Sequence, residues 1–276
     1  MFLGAQHAAG EGEHSLSMYA VRQRELNRAS AGLWACYARH RAKVTECVLA
    51  HAPATPGRLV VLGAGNCNDL ELGKVVKAFS TVHLLDLDSV AMATGVERQG
   101  MRSAAGLRIH GGVDVTAPLD AGSLGVDGAD VVVSAAMLSQ LISSAMEEGQ
   151  QAEGLLRVRD AHLQTMLGLL RPGGHGLLVN DMVSSDTCPQ LHSTPQDRLP
   201  TLLPALLEER NFFTGCNPLA IVERLNGPLL EATGVAVSSP WRWDVGTRSH
   251  LVCAVSFRRR HESATRRPGR DVTGHS

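Results

Sequence analysis

A chain of 276 residues that is 44% hydrophobic can bury one sizeable core, so a single domain with additions is expected. Lys and Arg number 26 against 27 Asp and Glu, a net charge of −1 that argues against a surface built to neutralise nucleic-acid phosphates or anionic lipid. No apolar segment reaches the ~20 residues of a membrane span, and the first ten residues carry no basic stretch followed by an apolar run. The six cysteines (Cys36, Cys47, Cys67, Cys188, Cys216, Cys253) form no C-x-x-C pair. They read as thiols of a reducing, cytoplasmic compartment, with no metal site expected.

Residues 1–15 are rich in Gly, Ala and Glu and read as a mobile end. From Ser17 to Leu49 the apolar spacing of Leu33, Trp34, Tyr37, Val44 and Val48 predicts one helix. Pro53-Ala54-Thr55-Pro56-Gly57 ends it and separates an N-terminal helical cap, residues 1–56, from a core at 57–258. Five strand-then-helix cycles follow. Strands are expected at Arg58–Leu62, Val82–Leu87, Leu107–His110, Ala129–Ser134 and His175–Met182. Helices are expected near Leu70–Phe79, Val90–Arg98, Met137–Ser144 and Leu155–Leu170, the last broken by Arg171-Pro172-Gly173-Gly174. Such alternation implies an α/β fold, a mostly parallel sheet with helices on both faces.

Residues 186–220 form an apolar insertion with a helical piece near Leu199–Glu209, and a further helix lies near Leu219–Leu225. The last two strands, Val235–Asp244 and His250–Phe257, are joined by only Val245–Ser249, too short for a crossover, and must form an antiparallel hairpin. The tail, 259–276, reads as a basic, solvated end rather than an RNA contact; with Arg258 it holds Arg259, Arg260, Arg266, Arg267 and Arg270.

The first strand runs into Gly63-Ala64-Gly65-Asn66-Cys67-Asn68 and then a helix, a turn whose glycines let a ligand approach the backbone. Asp86 ends the second strand 21 residues beyond Gly65, the distance at which a carboxylate reaches a ribose diol. Asp88 reads as the cap of the next helix. Cys67 reads as a small residue filling the turn, since no base is identifiable beside it.

These features together resemble the class I, Rossmann-like S-adenosylmethionine-dependent methyltransferases over residues 58–257. The glycine turn and Asp86 are similar to that family's first two motifs, and His110-Gly111-Gly112-Val113-Asp114-Val115 to its third. Ala129–Leu141 is similar to the fourth-strand motif, the Pro-Gly-Gly turn precedes strand five, and the terminal hairpin matches the family's antiparallel close. The resemblance implies a seven-stranded sheet and S-adenosylmethionine as cofactor, held by Gly63, Ala64, Gly65, Asn66, Asn68, Asp86, Leu87, Asp114, Val115 and Ser134. Two positions depart from the pattern: Cys67 stands for the third glycine, and Val61 for an acidic residue.

Ligands bind outside the carboxyl ends of strands in open α/β sheets. Gln140 and Asp181 are therefore the catalytic candidates, with Tyr19, Tyr37 and Asn180 as acceptor-binding candidates. His192 is a further candidate base. His175, at the opposite end of its strand, reads as structural, and Arg41 as a surface residue or a partner of the cofactor carboxylate. The expected activity is methyl transfer to N or O of a small organic acceptor. The alternatives are a non-catalytic nucleotide-binding or scaffold module and a nicotinamide-dependent oxidoreductase. The insertion is readable as a lid over the acceptor or as a homodimer interface. A nucleic-acid substrate is disfavoured by an aromatic content of 4%.

Overall fold

The run Leu59-Val60-Val61-Leu62 lacks the polar alternation of a half-wet strand because it lies in the middle of a sheet covered on both faces. The computed structural model describes residues 18–116, 118–230 and 232–261. The expected mobile end at 1–15, and the arginines of the expected tail at 266, 267 and 270, lie outside them. Five strands are parallel: β1 (Arg58–Leu62), β2 (Thr81–Asp86), β3 (Leu107–Gly111), β4 (Ala129–Ala135) and β5 (Leu170–Ser184). Their order is β3-β2-β1-β4-β5, so the chain builds outward from β1 on one side and then returns to the other. The crevice between the ends of β1 and β4 is the switch point where such sheets receive ligands.

The helices are α1 (Met18–Ser30), α2 (Ala38–Leu49), α3 (Leu72–Ala78), α4 (Ser89–Arg98), α5 (Ala121–Leu124), α6 (Met137–Glu147), α7 (Ala152–Leu169), α8 (Leu203–Glu208) and α9 (Pro218–Asn226). Side chains alternate across each strand. Val60, Leu62 and Val132 meet Leu138, Leu163 and Ile221 of α6, α7 and α9 in one core. Leu59, Val61 and Val133 meet Val44, Val75 and Met92 of α2, α3 and α4 in the other.

Three expectations are corrected. The single N-terminal helix is two, broken over residues 31–37. At the break, side chains of the core take carbonyls of the turn that follows α1: Asn68 Nδ2 donates to Ser30 O at 3.1 Å and Arg98 Nη2 to Ala31 O at 3.0 Å. The sheet has eight strands rather than seven. The segment expected as one strand, Val235–Asp244, is two, β6 (Ala232–Val237) and β7 (Trp241–Val245), interrupted at Ser238-Ser239-Pro240, where proline offers no N–H to a ladder. Both pair antiparallel with the long β8 (Arg248–Arg259), whose other edge pairs with β5. Finally, Arg258 and Arg259 belong to β8 and not to a tail; Arg259 Nη1 donates to Leu170 O at 2.6 Å.

The insertion folds as two short 3-10 turns, Pro189–His192 and Gln196–Leu202, followed by α8. Leu191, Leu199 and Leu206 are buried within the chain's own core.

The β5–β8 seam is closed by Phe257, 1% exposed, whose ring lies over its cross-strand partner Gly176: a Cβ there would stand 2.2 Å from the ring. Phe257→Ala is expected to destabilise the fold by about 3–5 kcal/mol in urea unfolding, from lost burial and the cavity left behind.

Candidate functional site

The glycine turn is built by bonds across the end of β2. Gly63 N and Ala64 N both donate to Leu85 O, at 2.9 and 3.1 Å. Asp86 then receives Gly65 N on one carboxylate oxygen at 2.8 Å and Asp88 N on the other at 2.7 Å. Burial pushes the Asp86 carboxyl above its ordinary range, and these two N–H donors oppose that shift. Gly63 and Gly65 have φ of +68° and +45°, so their positions favour glycine. Asp88 accepts from Ala91 N at 3.0 Å and caps α4.

Cys67 also has a positive φ, +52°, the conformation for which glycine is suited. Its thiol is buried and pushed up to about 12 by that burial, so it is inert as a nucleophile near neutral pH. Helix α4 approaches this turn so closely that a Cβ on Gly95 would lie 2.2 Å from Asn66 O.

Helix α1 lies over the turn. Asn66 Nδ2 donates to Asn27 O at 2.6 Å and Ser30 Oγ at 3.0 Å, while Asn68 Oδ1 accepts from Arg98 at 3.0 Å. Both amides thus tie the turn to its neighbours α1 and α4. Asn27 Oδ1 lies only 2.7 Å from where a Cβ on Gly65 would be, and the recess above the turn is about 40 Å³. Tyr19 of α1 feels the charges of both Asp114 and Asp86, and burial, its largest influence, raises its phenol further. Tyr19 lines the same cavity as Asp114.

A cavity of about 280 Å³ opens beside Tyr19, Asp114 and Val115. Asp114 accepts from Thr116 N at 2.8 Å and Thr116 Oγ1 at 2.6 Å, which shapes the turn after β3. Ser134 is fully buried and shares a 2.9 Å hydrogen bond with His162 Nε2, so its hydroxyl is engaged in the core beneath the site. His162 is held neutral, its pKa lowered to about 4 by burial. Its Nδ1 and Ser144 Oγ are buried without a hydrogen-bond partner, and both residues border the cavity. Leu87 is half-buried against the core.

A larger cavity, about 540 Å³, opens at the ends of β4 and β5. Gln140 lines both it and the recess over the glycine turn, so it stands at their junction. At the junction the backbone is strained: Ala136, between β4 and α6, has φ +52°. Asp181 faces the cavity, receiving Ser139 Oγ at 2.5 Å on Oδ1 and lying 3.6 Å from His250 Nδ1 through Oδ2. Phe212, Phe213 and Trp243 provide aromatic wall.

Other candidates fall elsewhere. Asn180 is fully buried and donates to Cys216 O at 2.8 Å, anchoring the chain ahead of α9 rather than lining the cavity. Tyr37 lines the recess and packs edge-on against Trp243 at 4.9 Å. Arg41 is neither a surface residue nor in the cleft: its guanidinium lies 3.4 Å above the Trp34 ring and donates to Asn68 O at 3.2 Å. His192 Nδ1 is 3.0 Å from Ser249 Oγ. His175 packs against His51 at 4.9 Å, at the opposite end of β5 from Asp181.

His250, Ser139 and Trp243 escaped the sequence reading. The rule that ligands meet the carboxyl ends of parallel strands finds Asp181. An antiparallel neighbour, however, brings its first residues to that same edge, and His250 is the third residue of β8, in register with Ser184. The predicted hairpin contained that signal.

Among the described residues, no group of three or more His, Cys, Asp and Glu side chains could hold a metal ion, and no helix is long and apolar enough to cross a membrane. No family model and no curated protein matches the sequence. Solved structures do match. A 1,6-didemethyltoxoflavin-N1-methyltransferase of Burkholderia thailandensis, with bound 1,6-didemethyltoxoflavin and S-adenosylhomocysteine, superposes with a TM-score of 0.52. It is 15% identical, over 94% of this chain and 93% of that one. The N-methyltransferase NodS of Bradyrhizobium japonicum WM9, in complex with S-adenosylhomocysteine, gives a TM-score of 0.50 at 13% identity, over 88% of this chain and 98% of that one. This chain has the class I methyltransferase fold.

Two outcomes check the geometry of the turn. Gly→Ala inside a helix ordinarily stabilises by about 0.5–1 kcal/mol, but Gly95→Ala is expected to destabilise in thermal or urea unfolding because its methyl meets Asn66 O. In the native protein at about pH 8, iodoacetamide is expected to modify exposed Cys36 and spare Cys67, read by peptide mass spectrometry.

Proposed function

We propose that this chain is an S-adenosylmethionine-dependent methyltransferase acting on N or O of a small organic acceptor. The observation that carries the reading is the meeting of two spaces at the sheet's switch point. One is the recess over the glycine turn, and the other is the open cavity lined by Asp181; Gln140 borders both.

The chemistry of the residues around the turn supports this cofactor. Gly63, Ala64 and Gly65 offer backbone free of bulky side chains, and Asp86 supplies a carboxylate at the end of β2. Leu87, Asp114 and Val115 follow the adjoining strand ends, and Asp114 and Val115 line the neighbouring cavity with Ser144 and His162. When bound, the sulfonium supplies an electrophilic methyl group. The chain's own task is to hold the acceptor in line and exclude water. Phe212 and Phe213, which follow the insertion's helix, close one wall, consistent with a lid role for residues 186–220. A cavity of about 540 Å³ suits a small molecule.

A second reading, a non-catalytic module, draws support from the packing of α1 onto the turn, which leaves only about 40 Å³ there. Under the methyltransferase reading α1 must shift to admit the cofactor.

Calorimetry with S-adenosylhomocysteine and NADH separates the readings. Micromolar S-adenosylhomocysteine binding without NADH binding is expected, together with altered amide hydrogen exchange in α1. Asp86→Ala is expected to weaken that binding by about ten- to a hundredfold, the loss of a hydrogen bond to a charged group. Absence of binding would favour the scaffold.

A further inference from the structure

We propose that His250 is the general base of this site and Asp181 the residue that positions it, which makes the acceptor a hydroxylated aromatic molecule methylated on oxygen. The inference rests on the methyltransferase reading above and specifies its acceptor.

A neutral amine carries a lone pair ready for attack, whereas a hydroxyl needs its proton removed as it reacts. The larger cavity holds the means to remove it. His250 is brought to the cavity by β8, and Asp181 by β5, the two strands being antiparallel neighbours. Asp181 Oδ2 faces His250 Nδ1 at 3.6 Å, and Oδ1 is fixed by Ser139 Oγ at 2.5 Å from the first turn of α6. A carboxylate beside Nδ1 favours the tautomer with its proton on that nitrogen and leaves Nε2 as the acceptor of a substrate proton. His250 Nδ1 is buried and has no hydrogen-bond partner at its present distance, so the pair has room to tighten when an acceptor is bound.

The walls select a planar ring. The Trp243 and His250 rings are 5.4 Å apart with 39° between their planes, and Phe213 approaches His250 from the other strand connection at 6.3 Å. Trp243 Nε1 is a buried donor without a hydrogen-bond partner.

The charged groups around the imidazole are few. Asp181 comes from β5, Arg22 from α1 and Arg248 from β8. Both arginines hold carboxylates of their own, Arg22 with Glu25 and Glu147 and Arg248 with Asp186. Tyr37, Cys216 and Cys253, which feel the Asp181 charge, are kept neutral chiefly by burial.

In the step itself, the hydroxyl oxygen of the acceptor attacks the methyl carbon and its proton passes to His250 Nε2. The carbon–sulfur bond breaks with its electron pair going to sulfur, leaving S-adenosylhomocysteine, a methyl ether and an imidazolium that Asp181 stabilises. Release of that proton to solvent restores the base.

The test uses the full chain with S-adenosylmethionine and paired probes: phenol, naphthol and hydroxyquinoline beside aniline, naphthylamine and aminoquinoline. Binding is read by calorimetry in the presence of S-adenosylhomocysteine, and methylation by mass spectrometry. The hydroxylated probes are expected to bind and to be methylated in preference to the amines. His250→Gln is expected to lose about 10²–10⁴-fold in O-methylation and with it the acid limb of the pH–rate profile. Asp181→Asn is expected to lower kcat with KM little changed, and Asp181→Glu, which keeps the carboxylate, to recover part of the rate. A purely structural Asp181 would show neither that split between kcat and KM nor the rescue by glutamate. Unchanged S-adenosylhomocysteine affinity in both variants shows that they fold; should His250→Gln fail this, His250→Asn replaces it.

Several results would overturn the inference while sparing the methyltransferase reading: methylation of amines alone, a wild-type rate and pH profile in the His250 variant, or S-adenosylhomocysteine binding with no hydroxylated probe bound. Failure of wild-type protein to bind S-adenosylhomocysteine overturns the reading beneath it.

Discussion

The antiparallel pairing of β5 with β8 is the constraint from which the working end of this molecule follows. A parallel strand reaches the carboxyl edge of the sheet at its last residues, and an antiparallel neighbour starts there. Asp181, late in β5, and His250, early in β8, therefore meet at one cavity although 69 residues separate them in the chain. The same pairing buries Phe257 against Gly176 and gives β6 and β7 an edge on which to pair. The insertion leaves the chain between the two strands and returns to the cavity wall through Phe212 and Phe213.

On the other side of the switch point, a single carboxylate organises the turn. Asp86 takes N–H groups from Gly65 and Asp88 and so links the loop after β1 to the loop after β2. Burial raises its pKa, and the N–H donors favour the ionised form. The glycines permit the close approach, and Gly95 lets α4 press against Asn66. This edge of the sheet is tightly packed, and the present position of α1, with Asn27 over Gly65 and Tyr19 near Asp86 and Asp114, leaves little room over the turn.

The strain at Ala136 and Cys67 fits that arrangement. Both are non-glycine residues with positive φ; Cys67 lies in the glycine turn itself, and Ala136 lines the larger cavity. Cys67 is where the family resemblance expects glycine, and the structure supplies the reason: the backbone there is left-handed, a conformation glycine adopts without a Cβ penalty. The departure at Cys67 is thus accommodated in the packing, with the thiol buried and inert.

Local patterns in the sequence determined the parallel strands, most helices, the glycine turn, Asp88 as a cap and the late antiparallel close. Each is set by residues near one another: apolar runs, Gly and Pro punctuation, and a connection too short to cross. Long-range bonds decided the rest. The expected N-terminal helix is broken where Asn68 and Arg98 hold Ser30 O and Ala31 O, and the expected seventh strand gains a split neighbour because Pro240 interrupts the ladder. Ser134 and Asn180 look exposed at strand ends, yet one meets His162 and the other Cys216 inside the core. Tyr19 and His250 were placed only by packing, Tyr19 through the contacts of α1 with α4 and α6 and His250 through register with β5. Sequence spacing specifies which face a side chain takes on its own element; it carries no information about which element lies opposite.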